Sequence, residues 1–151
     1  MTVQLNTQSI LARARAGAAR GLVRATEGVR NEAISLILDT PKTGRIYRRR
    51  SVEHQASAPG ESPASDTGRL VNSIRTGYDM NALVGTVTAS TAYAAALEYG
   101  TARMAARPYL RPALARRRDA IEAEVAAAVR AARGGAGACA WLCRPRAAPP
   151  S

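Results

Sequence analysis

The most reactive side chains in this chain are one histidine and two cysteines. His54 lies between Glu53 and Gln55. A general base needs a positioned partner and a pocket, and the sequence around His54 indicates neither, so we interpret it as a surface or loop contact. Cys139 and Cys143 form one pair in CAWLC, whereas a structural zinc site needs four ligands. We interpret both cysteines as free thiols in a reducing compartment.

Motifs that would bind nucleotides or activate a nucleophile are missing from the sequence. The serines of residues 57–66 do not form a GxSxG elbow, and the arginine-rich segment that follows Gly44 lacks the GK[ST] of a phosphate-binding loop. Glu122 and Glu124 are two residues apart and cannot share a helix face. We therefore expect a protein that is not an enzyme and that uses no cofactor or metal.

Composition indicates one domain with a thin core. The chain has 151 residues, of which 46% are hydrophobic but only 4% aromatic. Much of the apolar fraction is alanine, which buries little surface, and a core of this kind favours oligomerisation. We assign residues 1–133 to a single domain. Residues 134–151 are rich in Gly, Ala and Pro and are interpreted as a low-complexity tail.

The net charge of +11 predicts attraction to polyanions or to acidic protein surfaces. Four arginines concentrate at a predicted hairpin tip, where they could contact the phosphate backbone of DNA or an acidic partner: Arg45, Arg48, Arg49 and Arg50. Arg116, Arg117 and Arg118 are consecutive on a predicted helix and point to most of its sides, so they cannot form one groove-reading face. The alternative is that these arginines are solvated or form interface salt bridges.

The periodicity of apolar residues predicts an α+β fold. Long N-terminal and C-terminal helices would pack on a small antiparallel sheet, with a long extended loop. The predicted elements are a helix over 7–38, a hairpin of 45–47 and 52–56, a loop over 57–66, a helical turn over 68–73 capped by Asp66 or Thr67, strands over 74–78 and 82–90, a short helix over 93–99 and a helix to about residue 133 that has Pro112 in its first turn.

Two apolar patterns refine this prediction. On the first helix, Gly17, Gly21 and Gly28 lie near one face, where another backbone could approach closely, although they could equally reflect an Ala/Gly-rich composition. On the last helix, Leu114, Ile121, Val125 and Val129 form the expected apolar stripe. On the first helix, the predicted apolar stripe contains Leu11, Ala14, Ala18, Leu22, Ala25, Val29, Ala33 and Leu36.

The segment Tyr93–Leu114, YAAALEYGTARMAARPYLRPAL, combines apolar and aromatic residues with arginines. Aromatic residues and arginine are enriched at the centres of protein interfaces. We therefore expect this segment to dock against a neighbouring molecule. Seven of its residues are expected to form a subunit contact or its supporting core: Tyr93, Leu97, Tyr99, Arg107, Tyr109, Leu110 and Arg111. For Tyr93, Leu97 and Leu110, a plain core role is the favoured alternative.

Three stretches of the chain resemble one protein family in the same order. They are KTGRIY at 42–47, HQASAPGESPA at 54–64 with DTGRL at 66–70, and YA, LEYGT, ARPYL and RPAL within residues 93–114. They are similar to the motifs "tGriY", "hqaSaPGepPa.dtGrL" and "YA…vEfGT…arPFlrPAl" of the neck, head–tail joining or tail-completion proteins of long-tailed bacteriophages, which are also described as minor tail components. Tyr99 and Tyr109 replace the commoner phenylalanine. The tail after Gly134 matches nothing in the pattern.

The resemblance implies a structural virion protein that forms a ring of six or twelve copies at the phage neck. The ring would join the DNA-filled head to the tail tube, after assembly in the cytoplasm of the bacterial host. Its partners would be head connector, adaptor or stopper proteins and tail terminator or tail tube proteins. We also expect the loop residues Ser57, Pro59, Gly60, Glu61 and Pro63 to become ordered against a partner.

Two other functions remain open at this point. Within the virion, the chain could be a tail terminator that caps the tube. Outside that class, it could be a small basic protein that binds DNA non-specifically, as its charge would allow. We expect no membrane span, because no run of about 18 apolar residues occurs, and no signal peptide, because the N-terminus lacks a basic-then-apolar pattern.

Overall fold

The computed structural model describes residues 7–49 and 51–134. It contains four helices and four strands in the described residues, and the α+β prediction is confirmed. Their order is α1 (Thr7–Leu38), β1 (Ile46–Arg49), β2 (Val52–Gln55), α2 (Arg69–Ser73), β3 (Ile74–Asp79), β4 (Val84–Ala89), α3 (Ala94–Tyr99) and α4 (Leu110–Gly134). The strands form two separate antiparallel hairpins, β1–β2 and β3–β4.

Helix α1 is the central element, because α4 packs along one of its faces and the β3–β4 hairpin along another. The two long helices are antiparallel, since Gly17 lies against Ala132 and Gly21 against Val125. A Cβ atom at Gly21 would lie 2.7 Å from the Cα of Val125. The predicted close approach of another backbone is therefore confirmed at Gly17 and Gly21, where glycine is required for space. At Gly28 the prediction is wrong, because the neighbour there is the guanidinium group of Arg117.

The β3–β4 hairpin lays one face on α1. Gly85, Val87 and Ala89 on β4 are partly buried, and the residues between them are exposed, as the predicted alternation requires. The predicted start of this strand at Ala82 is wrong by two residues. The carboxylate of Asp79 accepts hydrogen bonds from the N–H groups of Asn81 and Ala82, and Leu83 has a positive φ of 54°, so the loop extends to Leu83.

The β1–β2 hairpin differs from the prediction at its tip. Strand β1 continues through Arg48 and Arg49, which pair with Glu53 and Val52 across the hairpin. These two arginines therefore lie along a strand and not at the turn. At the turn itself, Ser51 has φ 67°. Arg50 lies outside the described residues.

The core lies where α1, α2, β3, α3 and the start of α4 meet. Its buried members are Val29, Ala33, Leu36, Ile37, Leu70, Ile74, Ala94, Tyr109 and Ala113. Much of the predicted α1 stripe contributes, but Leu11 is exposed because it lies in the part of α1 beyond this core. Leu114 is also 54% exposed, so its placement in the buried stripe of α4 is wrong. Ala113, its neighbour, takes the buried position.

The loop over residues 57–66 contacts its own chain. Ser62 accepts a hydrogen bond from the ammonium group of Lys42 (2.8 Å) and donates one to the carbonyl oxygen of Leu36 (2.6 Å). Lys42 also donates to that carbonyl oxygen (3.0 Å), which places a cation at the C-terminus of α1. Burial lowers the pKa of Lys42. The loop is thereby attached to the end of the longest helix.

Candidate docking surface around Tyr99

A tight turn follows α3 and aims the chain back toward the core. Gly100 ends the helix with φ 78°, a conformation that favours glycine. A side chain at this position would also approach the backbone atoms of Met104 and Ala106 to 2.9 Å. The N–H of Arg107 then donates to the carbonyl oxygen of Leu97 at 2.7 Å. These contacts hold α3 and the start of α4 in one geometry.

Glu98 joins the two helices. Its carboxylate is buried (4% exposed) and accepts hydrogen bonds from the N–H groups of Tyr109 (2.9 Å), Leu110 (3.1 Å) and Arg111 (2.9 Å). These N–H groups belong to the first turn of α4 and its preceding residue, and they have no partner within the helix. The guanidinium Nε of Arg111 lies 3.5 Å from the same carboxylate. Glu98 therefore caps α4 and places its charge at the positive end of the helix dipole.

Tyr109 lies in the core of its own chain, with an exposed fraction of 0%. The sequence allowed either a subunit contact or a place in the supporting core, and the structure places Tyr109 in the core, where its ring is not accessible to a neighbour. Its buried hydroxyl has no hydrogen-bond partner in the described part of the chain. Burial, together with the nearby Glu98 and Tyr93, raises the pKa of Tyr109 to about 12.

Tyr99 is the most exposed aromatic side chain among the described residues, at 69%. The guanidinium carbon of Arg111 lies 5.0 Å from the centre of its ring, which is within the range of a cation–π contact. Tyr99 directly follows Glu98 in the chain, and the N–H of Arg111 donates a hydrogen bond to the Glu98 carboxylate. A large aromatic ring is thus held in a defined orientation at the surface.

An apolar groove of about 350 Å³ lies next to Arg111. Its walls come from α1, β4 and α4, including Val29, Val87 and Ile121, and Arg111 and Leu114 form part of its edge. Arg111 therefore contacts the ring of Tyr99 on one side and lines the groove on the other. We call Tyr99, Arg111 and Leu114 the Tyr99 surface. Its aromatic and aliphatic members are linked through Arg111, which contacts the ring of Tyr99 and shares the groove lining with Leu114.

The remaining predicted contact residues divide between surface and core. Tyr93 is 43% exposed and lies apart from the Tyr99 surface, on the edge of a second cavity. Leu97 and Leu110 are partly buried against the core. Arg107 is also partly buried, and its Nε has no hydrogen-bond partner among the described residues. The predicted set therefore does not form one surface.

The predicted partner-ordered loop has an internal tether at Glu61. Its carboxylate accepts hydrogen bonds from the hydroxyl (2.5 Å) and the N–H (3.1 Å) of Thr43 and from the N–H of Ala58 (2.8 Å). These bonds lower the pKa of Glu61. The N–H of Gly60 donates to the carbonyl oxygen of Ala106, which connects the loop to the Tyr93–Leu114 segment. Ser57 and Pro63 are buried, and Pro59 is exposed.

Two of the four arginines predicted to contact DNA form ion pairs with acidic residues, whereas Arg45 is exposed. Arg48 pairs with Glu53 at 3.2 Å, and Arg49 pairs with Asp66. The prediction that Asp66 caps α2 is therefore wrong. Gly68 occupies the N-cap position of α2, and no side chain forms a capping hydrogen bond there.

The last helix shows the same neutralisation. Arg116 pairs with Glu32, and Arg117 pairs with Glu124. These ion pairs lie within the chain, whereas the alternative interpretation of these clusters expected solvated arginines or salt bridges at an interface.

His54 is a contact residue in the β1–β2 hairpin. Its ring stacks on Tyr47 with 5.6 Å between ring centres, and its Nε2 lies 3.6 Å from a carboxylate oxygen of Asp66. Within residues 7–49 and 51–134, no group of three His, Cys, Asp or Glu side chains is placed to hold a metal ion. Cys139 and Cys143 lie outside the described residues.

The capping role of Glu98 is the main feature that sequence reasoning missed. The partners of this carboxylate are eleven to thirteen residues away, beyond the short spacings at which capping patterns are recognised. One signal was available, because Glu98 is a lone carboxylate within the otherwise apolar AALEY. A charged residue on a buried helix face needs a compensating partner.

Comparison of the chain with protein-family models, with curated proteins and with solved structures finds no match. The resemblance to phage neck proteins therefore rests on the motifs in the sequence alone. In the part of the chain that the structure describes, no helix has both the length and the apolar character needed to cross a membrane.

Proposed function

We propose that this chain is a structural assembly protein that forms a ring with copies of itself at the neck of a long-tailed phage and joins head to tail. The three stretches of resemblance, in the same order as in that family, support the proposal. The structural observation that supports it most is the Tyr99 surface. The ring of Tyr99 is 69% exposed and contacts the guanidinium group of Arg111, whose N–H donates a hydrogen bond to the buried carboxylate of Glu98.

The fixed orientation of the ring favours binding. Association costs free energy for each flexible side chain that it immobilises, roughly 0.5–1.5 kcal/mol. Tyr99 has few rotatable bonds and is already held against Arg111. Tyrosine and arginine are also the types that most often dominate interface energies. A pre-oriented pair of this kind suits a contact between proteins.

A second copy of the chain is the partner that we propose for the Tyr99 surface. Contacts in a ring join one patch to a different patch on the next subunit, so the contact need not be self-complementary. The thin core supports this choice. Leu114 and other large apolar side chains remain exposed, and association of copies would bury them.

The assembly state of purified protein tests this function. We expect size-exclusion chromatography with light scattering to show a stable ring, or a monomer that joins purified heads or tails. Tyr99→Ala combined with Leu114→Ser should abolish ring formation or, for a monomer, the joining of heads or tails. Met80→Ala is the matched control, because Met80 is 43% exposed but lies at the far end of the β3–β4 hairpin. Equal loss in both variants would refute the assignment of the Tyr99 surface.

A further inference from the structure

The positive charge of this chain is concentrated at its two ends. Residues 1–26 contain four arginines and no acidic residue, and residues 125–151 also contain four arginines and no acidic residue. These ends therefore carry eight of the eleven net positive charges. The remaining residues, 27–124, hold 14 basic and 11 acidic residues, which leaves a net charge of only +3.

The described parts of these acid-free ends, residues 7–26 and 125–134, lie side by side in the fold. Because α1 and α4 are antiparallel, the first half of α1 lies beside the last turns of α4, with Gly17 against Ala128 and Ala132. Arg13 and Arg133 line the same small cavity together with Ile10. We call the exposed arginines of this region the arginine arm: Arg13, Arg20, Arg24, Arg130 and Arg133.

Three members of the arginine arm share one flank of α1. Spacings of seven and four residues place Arg13, Arg20 and Arg24 within about 40° of one another around the helix and over roughly 16 Å along it. Arg15, on another side of α1, instead donates to the backbone oxygen of Asn81 in the β3–β4 loop. The flank is therefore an exposed row of three cations beside the face of α1 that packs on α4.

Charges in the arginine arm are not neutralised within the described residues. No ion pair involves any of its five members there, whereas Arg48, Arg49, Arg116 and Arg117 all have acidic partners. Arg13 and Arg133 are like charges beside one cavity, so an anion placed between them would relieve their repulsion.

We propose that the arginine arm binds the phosphate backbone of duplex DNA without reading its bases. This site differs from the hairpin arginines that the sequence first suggested, and it goes beyond a role in neck assembly. Roughly 16 Å of duplex presents about ten phosphates, so the row can engage several of them in any register. The guanidinium group matches the geometry of phosphate oxygens and keeps its charge.

The surroundings of the arm favour DNA over a protein or a membrane. Residues 7–26 and 125–134 contain no aromatic side chain, and most residues between the arginines are Ala or Gly. A protein contact would need large anchoring side chains. A membrane-surface helix would need a broad apolar face, whereas Ile10 and Leu11 are the large exposed apolar residues here.

The test measures binding of the full chain to a fluorescent 30-bp duplex at 50 and 200 mM NaCl. The arm variant is Arg13→Gln, Arg20→Gln and Arg24→Gln. The control variant, Arg48→Gln, Arg49→Gln and Arg116→Gln, removes the same charge from ion-paired positions. All six side chains are exposed, so both variants should fold, which circular dichroism verifies.

Salt dependence gives the expected magnitude. With about four phosphate contacts, the affinity of the unmodified protein should fall roughly 100-fold between 50 and 200 mM NaCl, because each contact adds about −0.9 to the logarithmic slope. We expect the arm variant to lower the magnitude of this slope by about 2–3 and to weaken binding at 50 mM. The control variant should retain most of the slope.

Several results would overturn the proposal. These are absence of duplex binding at 50 mM, equal losses in both variants, and binding of polyglutamate or of vesicles with anionic lipid in preference to the duplex. Ring formation is measured separately and does not depend on the arm. Failure of one proposal therefore leaves the other standing.

Discussion

Replacement of Glu98 by alanine should destabilise the protein through loss of the α4 cap. The change removes hydrogen bonds to three N–H groups, of which that of Tyr109 belongs to a fully buried residue. A hydrogen bond to a charged group contributes ~1.5–3 kcal/mol, and water can replace the partner at the more accessible Leu110 and Arg111. We therefore expect Glu98→Ala to lower the free energy of unfolding by ~2–4 kcal/mol.

Two further variants separate the parts of this effect. Glu98→Gln keeps the shape and one acceptor oxygen but removes the charge, so its loss should be intermediate. Glu122→Ala removes an exposed carboxylate from α4, the helix that Glu98 caps, and should change stability by less than ~0.5 kcal/mol. Urea denaturation followed by circular dichroism measures all three. If Glu98→Ala is no worse than Glu122→Ala, the capping explanation is wrong.

Three other outcomes follow from the core, the helix pair and the loop. Tyr109→Phe removes a buried hydroxyl that lacks a partner, so thermal denaturation at pH 7 should show equal or higher stability. Because the raised pKa of Tyr109 keeps the folded form protonated while the unfolded form ionises, the unmodified protein should lose stability as pH rises from about 10 to about 12, and the variant should lose less. A slope that does not differ between the two would contradict this assignment. Gly21→Val should cost ~1–3 kcal/mol, because its side chain would overlap Val125, and an unchanged urea midpoint would show that α4 can move away. The lowered pKa of Glu61 means that its contribution is present above the ordinary value of 4.5 and lost as pH falls below it. Limited proteolysis should therefore cut residues 57–66 faster in acid, while in Glu61→Gln the rate should be high and less dependent on pH.

The sequence predicted the elements whose information is local. The long helices follow from apolar residues at spacings of three and four, and the end of α3 follows from Gly100. Their antiparallel contact was partly visible in Gly17 and Gly21, although composition alone offered another explanation. The structure decides between them, because the backbone of α4 occupies the space that side chains would need.

Features set by distant residues could not be predicted. Asp66 lies 17 residues from Arg49, and Glu32 lies 84 residues from Arg116, so no spacing rule identifies these ion pairs. The sequence therefore could not show that Arg48, Arg49 and Arg116 have acidic partners. Likewise, Tyr99 and Tyr109 lie ten residues apart in one segment, and only the tertiary packing exposes the one and buries the other.

The mass of the purified assembly tests the central claim most directly. A ring of six or twelve subunits of 15.9 kDa should give about 95 or about 190 kDa by light scattering, with a central hole in electron micrographs. Dissociation of that ring by Tyr99→Ala with Leu114→Ser, but not by Met80→Ala, is the predicted result. A protein that stays at about 16 kDa and joins neither purified heads nor tails would contradict the account.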